Sequence, residues 1–217
     1  MLEPKERARA EKILKILHQT YPDVTTALIH TNVFELSVAA ILSAQQTDAG
    51  VNAVSGELFE RYQNPQALAE ANLDELDGMI GTISFHHAKA RYLIGFGQGL
   101  VEKFGGKVPK TVEELTSLPG IGRKIAQVIL GTGYGLATGI VVDTHVIRIS
   151  YRLGLTENKQ PLKIEKDLLP QIPQQDWIWF THAIIWHGRA ICTARLPQCS
   201  ICPLNEVCPK KGVTQRK

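Results

Sequence analysis

Apolar residues recur along this chain at helical intervals, and no stretch of useful length alternates with the period of a strand. Ile13, Leu14, Ile16 and Leu17 mark one face of an N-terminal helix that stops before Pro22. Phe34 to Leu42 leaves almost no polar face and predicts a helix buried all round. Asp48 opens the next helix, which runs to about Tyr62. Asn72-Leu73-Asp74-Glu75 and Thr111-Val112-Glu113-Glu114 both fit the capping box, a polar N-cap with Glu three residues on. A long helix is predicted from Ala88 to Phe104, stopped by Gly105-Gly106, and others at Thr144 to Leu153, Pro161 to Leu169 and Asp176 to His187. The expected fold class is all-α, with many short helices and short connections and neither a repeat nor a low-complexity linker.

Composition changes this picture little. A chain of 217 residues can bury a full core without disulfide staples, as one large domain or two small ones. The start, MLEPKERARAEK, is charged and lacks the apolar stretch of a signal peptide, which implies a reducing, intracellular setting: cytoplasm or nucleoid if the source is bacterial. Ile125 to Val142 carries no charge, but Gly131, Gly133, Gly135 and Gly139 break it too often for a membrane span. It reads instead as a buried helix, a glycine-rich turn and a short extended approach to Asp143. Net charge is +3, permissive for nucleic acid without requiring it; Lys210, Lys211, Arg216 and Lys217 add a basic tail.

Two places carry candidate chemistry. Leu118-Pro119-Gly120-Ile121-Gly122 forces a tight turn between helices, and the next helix begins near Gly122-Arg123-Lys124. Backbone N–H groups at such a start, with the positive end of the helix dipole, suit a phosphate; a plain helical hairpin would use the same residues. Lys124 reads either as a solvated lysine or as a nucleophile, partly desolvated and near other cations so that some amine stays free. Asp143, in Val141-Val142-Asp143-Thr144-His145, is an expected half-buried N-cap, which also fixes a carboxylate to face a developing cation. His145 adjoins it, and Arg148 one turn on could meet a phosphate or pair with a carboxylate. His182 and His187 lie in an apolar helix with Trp177, Trp179, Phe180 and Trp186 and read as core histidines.

The only cysteines, Cys192, Cys199, Cys202 and Cys208, follow the spacing C-x6-C-x2-C-x5-C. Four soft ligands on one loop suit a single metal centre. Spacing alone ranks zinc first, a cubane iron–sulfur cluster second and two disulfides last; the reducing setting counts against disulfides.

LPGIGRK, then VDTH, then His187-Gly188-Arg189, then the cysteine spacing, together form an ordered signature that resembles the endonuclease III family, and ILSAQQTD at Ile41–Asp48 is similar to that family's LSAQ-x-TD segment. The resemblance spans about residues 30 to 210. It implies a base-excision DNA repair enzyme of two α-domains: a contiguous six-helix domain, residues 26–136, holding the helix–hairpin–helix, and a discontinuous domain, residues 1–25 plus 137–217, holding the cysteine loop, with the DNA cleft between them. It implies that the four cysteines bind a [4Fe–4S] cluster, that Lys124 is the nucleophile and that Asp143 is the catalytic aspartate. The implied activity is bifunctional: removal of oxidised pyrimidines, then cleavage of the abasic site by β-elimination through a lysine Schiff base. The implied partner is double-stranded DNA with damaged bases or abasic sites, met by a monomer, with no membrane. Contacts are implied for Gln45, Phe85, His86, Gly120, Ile121, Gly122, Arg123, His145 and Arg148.

The chain departs from the family pattern at Ser84-Phe85-His86-His87, ahead of Ala88-Lys89-Ala90, where relatives often carry Gly-Leu-Tyr-Asn ahead of Ser-Lys-Ala. Phe85 would replace a leucine wedge that fills the gap left by a flipped base, unless it is a buried loop aromatic; Gln45 matches a second gap-filling residue. Because lesion choice lives in such loops, a glycosylase for pyrimidine dimers or mismatches is the alternative, and a non-catalytic damage-binding module is the other.

Overall fold

The computed structural model describes residues 4–217; the charged start read above includes residues 1–3, which lie outside the described residues. The described residues contain helices and no strand, and no helix among them is long and apolar enough to cross a membrane. In chain order the helices are α1 Pro4–Thr20, α2 Val33–Leu42, α3 Asp48–Arg61, α4 Pro65–Ala69, α5 Leu73–Met79, α6 His86–Phe104, α7 Val112–Thr116, α8 Arg123–Val128, α9 Thr144–Arg152, α10 Pro161–Leu168 and α11 Trp177–Ala190. The chain divides into two compact units, Ala27–Leu136 and Met1–Thr26 with Ala137–Lys217.

Within the contiguous unit, α2 is the central element. Every residue from Phe34 to Leu42 is buried, as its missing polar face requires. The core around it draws Val51 and Leu58 from α3, Leu76 from α5, Leu93, Phe96 and Leu100 from α6, and Ala126, Ile129 and Leu130 after the hairpin. The glycine-rich stretch differs from the expected plain turn. α8 passes directly into a π-type segment, Ile129–Gly133. A side chain at Gly133 would meet Val33 Cγ1 at 2.9 Å, so glycine lets this wider helical turn close on α2.

Caps fix where helices begin. Asn72 accepts from the backbone N–H groups of Asp74 and Glu75, but Glu75 does not reach back as a capping box requires; it pairs with Arg61 at 2.7 Å. At the second box, the Thr111 hydroxyl accepts from Glu114 N at 3.2 Å and donates to Glu114 Oε2 at 2.8 Å. α6 ends as Gly105-Gly106 predicts: Gly105 is left-handed at φ 58, and Gly106 N–H donates to Leu100 O at 2.9 Å.

In the other unit the apolar stripe of α1, Ala10, Ile13, Leu14 and Leu17, shares a core with Val146, Ile149 and Leu153 of α9, Ile164 and Leu168 of α10, and Phe180 and Ile184 of α11. Leu204 of the cysteine loop is buried in the same cluster. That shared core is why segments far apart in sequence fold together.

Candidate functional site

α7 and α8 are joined by the turn that Pro119 and Gly120 shape. Gly120 has φ +78, and a Cβ there would meet Tyr92 Cβ at 2.9 Å, so this position admits only glycine. Ile121 is buried in the core and anchors the turn rather than offering its side chain outward. A Cβ on Gly122 would meet nothing within 4 Å, so packing does not demand glycine there. Gly122 is the N-cap of α8, and Arg123 and Lys124 follow it on the exposed side. Lys124 is exposed, not partly desolvated as the sequence suggested, because the inward face of α8 is taken by Ala126 and Gln127.

The same unit carries two exposed loop residues with left-handed backbone. Gln45 has φ 54 and Phe85 has φ 60; for side chains with a Cβ this conformation is strained by about 1–2 kcal/mol. Phe85 is 63 % exposed, which removes the buried-aromatic reading. Between the loops lies a residue to which the sequence reading gave no role. Lys89 is only 4 % exposed, and its Nζ donates to Leu42 O at 2.8 Å and Ala44 O at 2.6 Å. Burial pulls its ammonium below the usual lysine range. The ammonium ties the first turns of α6, just after Phe85, to the end of α2, just before Gln45. Gln46 adds a second link, Nε2 to Thr82 O at 3.2 Å. The signal in sequence was a lysine in an otherwise apolar helical position, between Ala88 and Ala90. Lys89→Met keeps the stem but leaves both carbonyls without this donor. It should cost about 1–3 kcal/mol, read as a lower urea midpoint at unchanged slope.

In the second unit Asp143 caps α9. Its Oδ1 accepts from His145 N at 2.9 Å and Val146 N at 2.8 Å, and its Oδ2 lies 2.9 Å from His145 Nδ1. The carboxylate is 14 % exposed, half-buried as expected and fixed by three partners. Gly188 makes this packing possible: a Cβ there would meet His145 Cδ2 at 2.7 Å and Arg148 Nη2 at 2.9 Å. Arg148 donates to Gly188 O at 3.3 Å and Cys192 O at 3.1 Å, carbonyls at the end of α11 and the start of the cysteine loop.

The four cysteines line one small cavity with Leu204, His187 and Arg152. No disulfide joins them. Arg152, another residue to which sequence reading gave no role, holds this loop to α9: its guanidinium donates to Cys192 Sγ at 3.2 Å, Thr193 O at 2.8 Å and Ala194 O at 2.8 Å. Lys210 N–H donates to Cys208 Sγ at 3.3 Å. Burial pushes the Cys202 thiol up to about 11 and raises Cys208 as well, so thiolates here call for a compensating cation. His187 is buried beside them, pushed down to about 4 by burial and then by the Arg148 charge, and it is neutral. Its Nδ1 lies 3.1 Å from Tyr21 Oη and its Nε2 3.7 Å from Cys202 Sγ. Among the described residues, no three cysteine sulfurs lie within 4.8 Å of one another.

An all-α fold with a glycine hairpin, a capped aspartate and a cysteine loop defines a class. The family model described as "HhH-GPD superfamily base excision DNA repair protein" matches residues 38–174. Endonuclease III of Synechocystis sp. is 46 % identical over 94 % of this chain and 93 % of its own length. That of Bacillus subtilis is 40 % identical over 90 % and 92 %. A solved structure of a trapped endonuclease III–DNA covalent intermediate superposes with a TM-score of 0.89, at 39 % identity over 97 % of each chain. A thermostable thymine-DNA glycosylase, 16 % identical, shares the fold with a TM-score of 0.84 over 94 % of this chain and 96 % of that one. The chain belongs to the endonuclease III family of this superfamily and is a base-excision DNA repair enzyme.

Proposed function

We propose that this DNA glycosylase and abasic-site lyase removes oxidised pyrimidines from duplex DNA, with Lys124 as nucleophile and Asp143 as its catalytic partner. The observation that carries the reading is Lys124 itself: an exposed amine placed directly after a glycine turn whose Gly122 is left open by the chain's own packing. Backbone there can approach a phosphate closely, and basic groups supply the salt-dependent part of binding. A damaged pyrimidine is weakly stacked or paired, so rotating it out of the helix costs less than for a normal base. The Lys124 amine then bonds to C1′ of the sugar as the base leaves with its electron pair. The fixed Asp143 carboxylate faces the positive charge that builds on the ring. Loss of a proton from nitrogen, then opening of the sugar ring as the C1′–O4′ bond breaks and O4′ takes a proton, gives the protonated Schiff base; removal of a proton from C2′ then expels the 3′ phosphate, which cuts the strand.

The cysteines suit a [4Fe–4S] cluster held by Cys192, Cys199, Cys202 and Cys208. Zinc would draw its sulfurs to about 3.8 Å from one another, given bonds of about 2.3 Å. The wider spread here, with N–H donors from Arg152 and Lys210 aimed at sulfur, favours the cubane. When bound, it would supply a cross-link that closes the C-terminal loop. Iron and sulfide measured on anaerobically purified protein should come to four of each per chain for a cubane; stoichiometric zinc without iron would reject it.

A panel of thymine glycol, dihydrouracil, abasic site, pyrimidine dimer and mismatched duplexes tests the lesion class. Cutting of the first three, with the dimer and mismatches left intact, is expected. A preference for dimers or mismatches would move the assignment to the alternative. Phe85→Ala should slow excision of a well-stacked lesion by about tenfold or more, while an abasic site, with no base to extrude, is cut at nearly the parent rate. Equal loss on both substrates would make Phe85 a packing residue.

A further inference from the structure

The departure at residues 84–87 places a group of side chains together that the chemistry above does not use. Asp77, in the last turn of α5, faces His86 and His87, which open α6. Nδ1 of His86 lies 2.8 Å from Asp77 Oδ1, and Nδ1 of His87 lies 2.8 Å from Asp77 Oδ2. The two rings are 4.0 Å apart by their centroids and tilted by 44°. Both histidines therefore turn the same ring nitrogen toward one carboxylate. Among the described residues, this is the one group of three or more His, Cys, Asp or Glu side chains whose ligand atoms all lie within 4.8 Å of one another. The frame is firm, because Ile80 and Ile83 in the connection between α5 and α6 are buried in the core. Burial pushes the Asp77 carboxyl up, but the hydrogen bonds and charges of the two histidines outweigh it and hold the group below the usual range, ionised.

We propose that Asp77, His86 and His87 form a binding site for a first-row divalent transition-metal ion such as zinc. Two imidazole nitrogens and one carboxylate oxygen are the borderline donors such ions prefer, whereas magnesium and calcium favour all-oxygen shells. Bonds of about 2.0–2.2 Å set tetrahedral ligand atoms about 3.3 Å apart, so the 2.8 Å pair that contains the bound oxygen must open by about half an ångström. His87 is 72 % exposed, which leaves room for that movement, an entry path and a water in the fourth position. An imidazole that binds through Nδ1 keeps a single proton on Nε2, so each ring gives up its Nδ1 proton as the ion binds, to solvent from a charged ring or by a tautomer shift from a neutral one, and no bond to carbon changes. The bound ion would pin the first turn of α6 immediately after Phe85 and add positive charge to that loop. The site stands on its own geometry and does not depend on the lesion class.

The test is calorimetric titration of cluster-loaded protein with Zn²⁺ in a non-chelating buffer, with iron measured before and after. One equivalent should bind with iron unchanged. His87→Ala removes an exposed side chain, and Asp77→Asn keeps its shape; each should weaken that binding by about tenfold or more. In ¹⁵N spectra of the histidine rings, the Nδ1 signals of His86 and His87 should shift with Zn²⁺ while those of the other histidines stay in place. No binding by the parent protein overturns the proposal, as does equal binding by both variants. Zinc uptake matched by iron loss also overturns it, since the ion would then sit on the cysteines.

Discussion

Lys124→Gln is expected to abolish borohydride trapping on abasic DNA and to bring strand cleavage below detection. Glutamine keeps length and polarity but cannot form an imine. The variant should fold as the parent does, because Lys124 is exposed and the inward residues of α8 are untouched; surface changes of this kind stay within about 0.5 kcal/mol. Binding to an abasic duplex should persist, since the hairpin keeps Gly120, Gly122 and Arg123. Trapping at the parent rate would reassign the nucleophile to the N-terminal amine or another lysine. The measurement is a gel shift of covalent adduct against time, beside a melting curve and a binding isotherm.

Asp143→Asn separates two roles of one carboxylate. As a cap, Asp143 needs only an oxygen that accepts from His145 N and Val146 N, and asparagine provides one. Its amide would meet His145 Nδ1, which can accept once the ring proton sits on Nε2. The melting temperature should therefore hold, whereas Asp143→Ala should cost about 0.5–2 kcal/mol. In the proposed role the charge faces a developing cation, and its loss in a fixed, half-buried position should slow single-turnover base release by about 100–1000-fold. A fully active Asp143→Asn together with a less stable Asp143→Ala would reduce this residue to a cap.

Periodicity and capping made much of the fold legible. The helices read from apolar spacing recur as α1, α2, α3, α6, α9, α10 and α11 within a few residues of their expected ends. Such features are local: a stripe, a cap or a Gly-Gly stop acts through neighbours in sequence. The five-residue α4 escaped because so short a helix displays less than two turns of pattern. The π-type segment escaped because its cause is the approach to α2, a long-range contact. The same reason covers the supporting residues. Lys89 meets carbonyls 47 and 45 positions earlier, and Arg152 meets Cys192 40 positions later. A motif shows which residues could do chemistry, but not which side chains across the fold hold them in place.

The shared core of α1 with α9 and α11 also constrains how the protein is made. α1 is made well before its partners, since those of Ile13, Leu14 and Leu17 lie beyond residue 137. At about 5–20 residues per second, that partner-free interval lasts on the order of ten seconds. Meanwhile Ala27–Leu136, contiguous in sequence, holds its whole core within one stretch and can close during synthesis. The nascent chain thus trails an unpaired amphipathic helix, a ready ligand for a chaperone, and the cysteine loop is made after both that helix and the contiguous unit. Any metal centre held by these cysteines is then assembled on a chain whose contiguous unit has already had time to fold.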